Sequence, residues 1–172
     1  MSRLRAVVAD LSFQRGSRRS FVFPARVVDI LLRHGQHDPG ASEAGGIMLG
    51  RIIADSDDII VDEITTPSSS DRRTRFAFFR SVSAAQHAVF NAWRSSKGTR
   101  IYLGEWHSHP EPDPNPSRHD IENWRAIVRE TRYEQHSLFF AIVGTRSIVV
   151  WELARSDVDP VRLDAERWDG VP

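Results

Sequence analysis

Apolar and polar positions change their period several times along the chain, and each change marks an element. Leu4 to Ala9 and Ser20 to Phe23 read as short strands framing a polar, Arg-rich turn. Pro24 suits a first helical turn because its φ is already set. Behind it, Ala25 to Arg33 spaces Val27, Val28, Ile30, Leu31 and Leu32 as a helical face. The breaker-rich HGQHDPGAS that follows is a loop. GGIMLGRII (Gly45 to Ile53) and DIIVDEIT (Asp58 to Thr65) predict two strands joined by an acidic turn. Pro67 to Arg73 reads as a polar connector, and Arg75 to Phe79 has strand composition. Ala84, Ala85, Ala88, Val89, Ala92 and Trp93 predict a helix over 83–96 that stops near Gly98. Ile101 to His107 is a strand, and Ser117 to Thr131 a helix with Ser117 as its N-cap. Leu138 to Val143 and Ser147 to Leu153 form a second hairpin around Gly144, and the polar stretch from Asp157 to Pro172 reads as a loosely held tail. Strands and helices mix without regular βα alternation. That pattern predicts an α+β fold, a mixed, mainly antiparallel sheet with helices packed against it.

Composition narrows the partners. A chain of 172 residues is long enough to bury a full core, and one domain over residues 1–172, with its core at about 20–155, is expected. Lys plus Arg equals Asp plus Glu at 23 each, so no net field draws the protein to nucleic acid or to a membrane. Arg15, Arg18 and Arg19 cluster, as do Arg72, Arg73 and Arg75, but no aromatic stripe accompanies a basic one. Solvated surface is the plainer account of both groups. There is no cysteine, which excludes disulfides, thiolate nucleophiles and Cys-ligated zinc together. The first thirty residues carry no apolar signal core and nothing approaches a membrane span, so a cytoplasmic protein is expected.

The stretch GEWHSHPEPDPNPSRHD, residues 104 to 120, concentrates the chemistry. Alternation along a strand puts His107 and His109 on one side, about 7 Å apart by backbone rise. Pro110 keeps His109 extended. The prolines at 110, 112, 114 and 116 stiffen the connection to a helix start, where Asp120 lies in the first turn. Two imidazoles and one carboxylate with a position left for water are the composition of a catalytic zinc site. The same set also suits ferrous iron. Ser117 is a hydrogen-bond donor beside that site as well as an ordinary cap. Glu43 and Glu105 compete as the base for the bound water: Glu105 lies two residues before His107 on the strand, Glu43 at the mouth of the glycine-bearing EAGGIMLG.

His107-Ser108-His109, seven residues, Ser117, two residues and Asp120 together resemble the complete signature of the JAMM (MPN+, Mov34/JAB) metallopeptidases. EAGGIMLG is similar to the family's Glu-x-Gly-Gly segment. The resemblance implies a curved sheet flanked by helices, of the cytidine-deaminase-like type. It further implies Zn²⁺ on His107, His109 and Asp120, Glu43 as general acid/base, and Ser117 as a stabiliser of the tetrahedral intermediate. Glu105 then falls to a structural or orienting part, and His119 to an exposed position that is not a ligand. GEWHSHP, the proline-rich loop and a helix bearing Trp124 resemble the compact bacterial deubiquitinase-like members of integrative elements and anti-phage CBASS operons. That finer likeness implies an isopeptidase acting on a protein with an extended, glycine-ended C-terminal tail, either a ubiquitin-like protein or a conjugated nucleotidyltransferase. Two rival readings stay on the same fold: a zinc amidohydrolase acting on a sulfur carrier or another small amide, and a non-catalytic MPN binding module.

Overall fold

Alternation along the central strands decides the layering. The computed structural model describes residues 8–166. In chain order its elements are β1 (Leu11–Arg15), β2 (Arg19–Phe23), α1 (Ala25–Arg33), β3 (Gly45–Ile52), β4 (Ile59–Ile64), β5 (Arg72–Thr74) and β6 (Ala77–Phe79). There follow α2 (Val82–Ser95), β7 (Ile101–Ser108), α3 (Arg118–Glu130), β8 (Ser137–Val143), β9 (Ile148–Ala154), β10 (Val161–Arg162) and β11 (Asp164–Glu166). Strand β8 is buried at every position. Its Phe139, Ala141 and Val143 join a core that includes Val27, Val28 and Leu31 of α1. Its Leu138, Phe140 and Ile142 join a second core with Ala92 of α2 and Trp124 and Val128 of α3. A strand covered on both faces reads as a continuous apolar run, which is the pattern SLFFAIV has. The sheet is therefore sandwiched, with α1 on one side and α2 and α3 on the other.

Among the described residues, nine strands form that sheet in the order β10-β9-β8-β7-β3-β4-β2-β1-β11. The pairs β2–β4 and β7–β8 are parallel and the other pairings are antiparallel, so the sheet is mixed and mainly antiparallel, within an α+β fold. The parallel step from β7 to β8 needs a crossover, and α3 supplies it. Because β10 pairs with β9 at one edge and β11 pairs with β1 at the other, residues 161–166 bridge both edges of a curved sheet. Arg15 spans the same gap, donating to Glu152 from Nη2 at 2.8 Å and from Nε at 3.2 Å.

Four expectations change. Residues 4–7 of the first expected strand lie outside the described residues, and Val8 and Ala9 are not in a strand. The strand is Leu11–Arg15, whose Leu11 and Phe13 alternate inward and pair with Phe23 and Phe21. The connector at 67–73 ends in β5, which makes a separate two-stranded sheet with β6. The stretch read as a loose tail is paired through Glu166, and 167–172 lie outside the described residues. Helix α2 turns Ala85, Ala88, Val89 and Ala92 inward, while Trp93 remains 54% exposed.

Candidate metal centre

Strand β7 carries two imidazoles, and a bulge sets which way they face. Its register with β3 passes from Met48↔Gly104 to Leu49↔Tyr102, which leaves Leu103 as the extra residue. Gly104 has φ +141°, and a Cβ there would stand 1.8 Å from the Phe139 carbonyl oxygen, so only glycine fits. Beyond the bulge, Trp106 and Ser108 are buried, while Glu105, His107 and His109 line a cavity of about 470 Å³. The His109 N–H donates to Val143 O at 2.9 Å, which carries the strand geometry one residue past β7. The proline loop is tied to the β8–β9 turn by Thr145 N–H to Glu111 O at 2.8 Å and Ser147 N–H to Pro112 O at 3.1 Å. Helix α3 consequently begins beside the end of β7.

The side chains converge. His107 Nε2 and His109 Nε2 are 3.1 Å apart. Asp120 Oδ1 stands 3.3 Å from His107 Nε2, and Asp120 Oδ2 stands 3.5 Å from His109 Nε2. A tetrahedral zinc with bonds of about 2.0–2.1 Å separates its ligand atoms by about 3.3–3.4 Å. The three separations bracket that value, and two nitrogens with one carboxylate are donors such an ion takes, so the residues present fit it. Glu43 Oε1 lies 3.9 Å from His107 Nε2 and 3.5 Å from His109 Nε2. Glu43, His107 and His109 alone also meet the spacing of a metal cluster, each offering an atom within 4.8 Å of the others. Two carboxylates thus approach one pair of imidazoles, Asp120 from the first turn of α3 and Glu43 from the loop before β3, and Asp120 is the nearer. On the far side, the buried His109 Nδ1 has no hydrogen-bond partner among the described residues, and Glu111 Oε2 faces it at 4.0 Å.

Environment separates the two acids. Burial raises the Glu43 carboxyl above its ordinary pKa and outweighs the downward pull of His107 and His109. Burial acts in the same sense on Asp120, but there hydrogen bonds from His107 and His109 prevail and hold the carboxyl well below the usual range. Asp120 is also the third residue of a capping box. Its Oδ2 accepts from Ser117 N–H and Ser117 Oγ, both at 2.6 Å, while Ser117 Oγ accepts from Asp120 N–H at 3.1 Å. The Ser117 hydroxyl proton is therefore engaged with Asp120.

Glu105, read from the sequence as a rival base, is occupied elsewhere. It accepts from Arg80 Nε at 2.7 Å and from Tyr102 Oη at 3.2 Å, and it orients neither histidine. His119 is exposed at the rim of the cavity. Phe78 also lines that cavity, and a Cβ on Gly45 would come within 2.5 Å of its ring, so the glycine admits the aromatic cover. Sequence reasoning did not single out Phe78, Arg73 or Gln36 around this site; an aromatic, one arginine of a cluster and a loop glutamine carry no spacing signal.

Residues 24–157 match the model of prokaryotic homologs of the JAB domain. The chain belongs to this JAB family. A protein of Pseudomonas aeruginosa (strain BWHPSA011 / Pa011) named CD-NTase/cGAS isopeptidase is 30% identical over 128 residues, which cover 74% of this chain and 79% of that one. A Vibrio cholerae protein of the same name is 33% identical over 137 residues, 80% of this chain and 84% of the other. The solution structure of a Desulfitobacterium hafniense protein shares the fold, with a TM-score of 0.52 at 20% identity over 81% of this chain and 88% of that one. The JAB match contains Glu43, His107, His109, Ser117 and Asp120. Among the described residues, no helix is long and apolar enough to cross a membrane.

Proposed function

We propose that this JAB-family chain is a zinc-dependent isopeptidase. It hydrolyses the amide bond that follows the C-terminal tail of a conjugated protein, a CD-NTase-like nucleotidyltransferase or a ubiquitin-like protein, and so reverses conjugation in an anti-phage system of the cytoplasm. The convergence of His107, His109 and Asp120 with Glu43 beside them carries this reading. The isopeptidase names of the relatives supply the substrate class.

His107, His109 and Asp120 would hold the zinc. Bound there, it supplies a Lewis acid for the scissile carbonyl and lowers the pKa of a water to about 7. Glu43 accepts the proton of the attacking water as its oxygen adds to the carbonyl carbon. The same carboxyl then gives that proton to the departing amine as the C–N bond breaks, leaving a carboxylate on the tail and a free amine on the other product. A carboxyl raised by burial is better matched to this exchange than an ordinary one. The Ser117 hydroxyl turns from Asp120 Oδ2 toward the developing oxyanion, while its oxygen goes on accepting from the Asp120 N–H. The tail lies extended along a strand edge beside the site, and the two-stranded β5–β6 sheet offers one.

The test is cleavage of a nucleotidyltransferase or ubiquitin-like protein fused through its C-terminus to a reporter, by zinc-loaded protein. Release of the reporter with the tail ending in a free carboxylate, abolished by Glu43→Gln, is the expected result. A zinc-loaded protein that leaves every such fusion intact refutes the reading. Turnover of small amides alone points to the amidohydrolase alternative.

A further inference from the structure

The residue between the two imidazoles points away from them, into the protein. Ser108 is fully buried. Its Oγ accepts from the Ala44 N–H at 2.9 Å, and its own N–H donates to Ala44 O at 2.8 Å. Both backbone groups of the residue after Glu43 are thus bonded to the strand that bears His107 and His109. The Ser108 hydroxyl proton goes on to Gln36 Oε1 at 3.1 Å. Gln36, 3% exposed, spends its amide protons on Ala41 O and Arg75 O, each at 3.1 Å. Its orientation is determined: only the NH₂ group can serve two carbonyls, and only the oxygen can accept from the hydroxyl.

The β5–β6 hairpin closes the other side. Glu43 N–H donates to Thr74 O at 2.7 Å. Arg73 donates from Nε to Glu43 O at 2.8 Å and from Nη2 to Ser42 O at 3.3 Å. Residues 41–44 belong to no helix or strand. Even so, Ala41 O, Ser42 O, both backbone groups of Glu43 and both of Ala44 all have partners. A loop held at that density is as well placed as a sheet strand, and a catalytic carboxylate gains its precision from such support.

We propose that Gln36, Ser108 and Arg73 form a clasp of positioning residues that sets the Glu43 carboxylate against the two imidazoles. The inference rests on the role given to Glu43 above. The strand that supplies both imidazoles uses its intervening residue to hold the base, so strand alternation gives His-Ser-His two functions on two faces. Arg73 joins the same segment to the hairpin beside the cavity, so a tail docking on the hairpin bears directly on the base.

The test compares zinc-loaded wild type with Arg73→Ala, Gln36→Glu and Ser108→Ala. Gln36→Glu keeps the acceptor for Ser108 and loses both donations, and Arg73→Ala alters an exposed side chain and keeps the fold. The readouts are zinc content, hydrogen–deuterium exchange at the Glu43 and Ala44 amides, and kcat and KM on the cleaved fusion. Zinc is expected to be retained in every variant that folds, with exchange at these amides faster by about tenfold. Turnover is expected to fall by about 10–100-fold in kcat, with KM little changed. Arg72→Ala, on the same hairpin but unbonded to this segment, leaves the exchange at 43–44 as it was. Unchanged exchange and kcat in Arg73→Ala and Gln36→Glu would overturn the proposal, and so would a loss of kcat that only follows a loss of zinc. The exchange arm needs no substrate, so a wild type that cleaves nothing defeats the isopeptidase reading while the clasp is still decided by its amides.

Discussion

Replacing Asp120 and Glu43 each by its amide separates the metal-ligand role proposed for the one from the base role proposed for the other. Asp120 Oδ2 accepts two hydrogen bonds from Ser117, both at 2.6 Å, so in Asp120→Asn the carbonyl oxygen stays at that position to keep the cap. The NH₂ group then takes the place of Oδ1, 3.3 Å from His107 Nε2, and turns protons toward the ion. The site loses a charge and a donor atom together. Partners one bond removed from a metal cost about 10–100-fold in affinity when mutated, so a lost ligand costs more than ~100-fold. That is more than about 2.7 kcal/mol of binding free energy. Asp120→Ala leaves Ser117 as the cap but removes the other half of the capping box, the two hydrogen bonds that Oδ2 accepts from Ser117, a further 0.5–2 kcal/mol or so of fold stability. For a chain of this length that is roughly 1–8 °C in Tm of the metal-free protein. Glu43 differs: burial already favours its neutral form, so Glu43→Gln is accommodated. Its zinc affinity drops less than ~10-fold, below even an outer partner's cost, while turnover falls by about 10²–10⁴. Competition against a chelator of known affinity, run beside cleavage of the tail fusion, reads both quantities. If Glu43→Gln sheds zinc as completely as Asp120→Asn, Glu43 is a ligand, no position is left for water, and the hydrolytic reading falls.

Three further outcomes are expected. Glu152→Gln leaves the largely buried Arg15 without its counter-charge and costs about 3–5 kcal/mol in denaturant unfolding. Burial would raise Glu152, but Arg15 outweighs it and holds the carboxyl below its ordinary value. The pair's stabilisation is accordingly present above the unfolded carboxyl pKa of about 4.3 and is lost as pH falls through the folded value. Stability measured against pH should therefore decline less steeply in the acid range for Glu152→Gln than for wild type. Gly104→Ala meets the Phe139 carbonyl at a backbone angle that disfavours a side chain, so it costs at least ~3 kcal/mol and weakens zinc binding by displacing β7; retention of wild-type Tm and zinc would contradict the part given to the bulge. Ser117→Ala lowers kcat and shifts unfolding by only about 0.5–2 kcal/mol, with zinc content as the control that Asp120 has stayed in place.

The parts of the fold that were legible carry strong local periods. Helix α1 begins and ends where Pro24 and the apolar face from Val27 place it, and β3, β4, β7, β8 and β9 fall within one residue of their expected bounds at each end. The segments misread lack such a period or take their place from distant partners. Val7, Val8 and Ala9 look more strand-like than LSFQR, yet Leu11 and Phe13 are the residues that meet Phe23 and Phe21 across the hairpin. Strands β5, β6, β10 and β11 have two or three residues each, too few for alternation to register. The bridge across both sheet edges depends on which edges come together, and the parallel β2–β4 pair depends on the path of α1; neither leaves a composition.

The candidate site divides in the same way. His107, His109, Ser117 and Asp120 fall within fourteen residues on one strand–loop–helix unit, so their spacing alone suggests a common focus. The place of Glu43, the proposed base, depends on contacts between distant segments. Register places Gly45 opposite His107, which puts Glu43 beside the end of β7, while Arg80 and Tyr102 occupy Glu105. Gln36 and Arg73 act through backbone carbonyls, an interaction any loop offers, so they have no motif to be found by. Ser108 separates the two scales: within the motif it is a spacer, while in the fold it bonds both backbone groups of Ala44. A side chain rotated to the opposite face of the same strand is the shortest route by which ligand geometry and base geometry can be set by one element, and a hydroxyl that both accepts and donates suits that position.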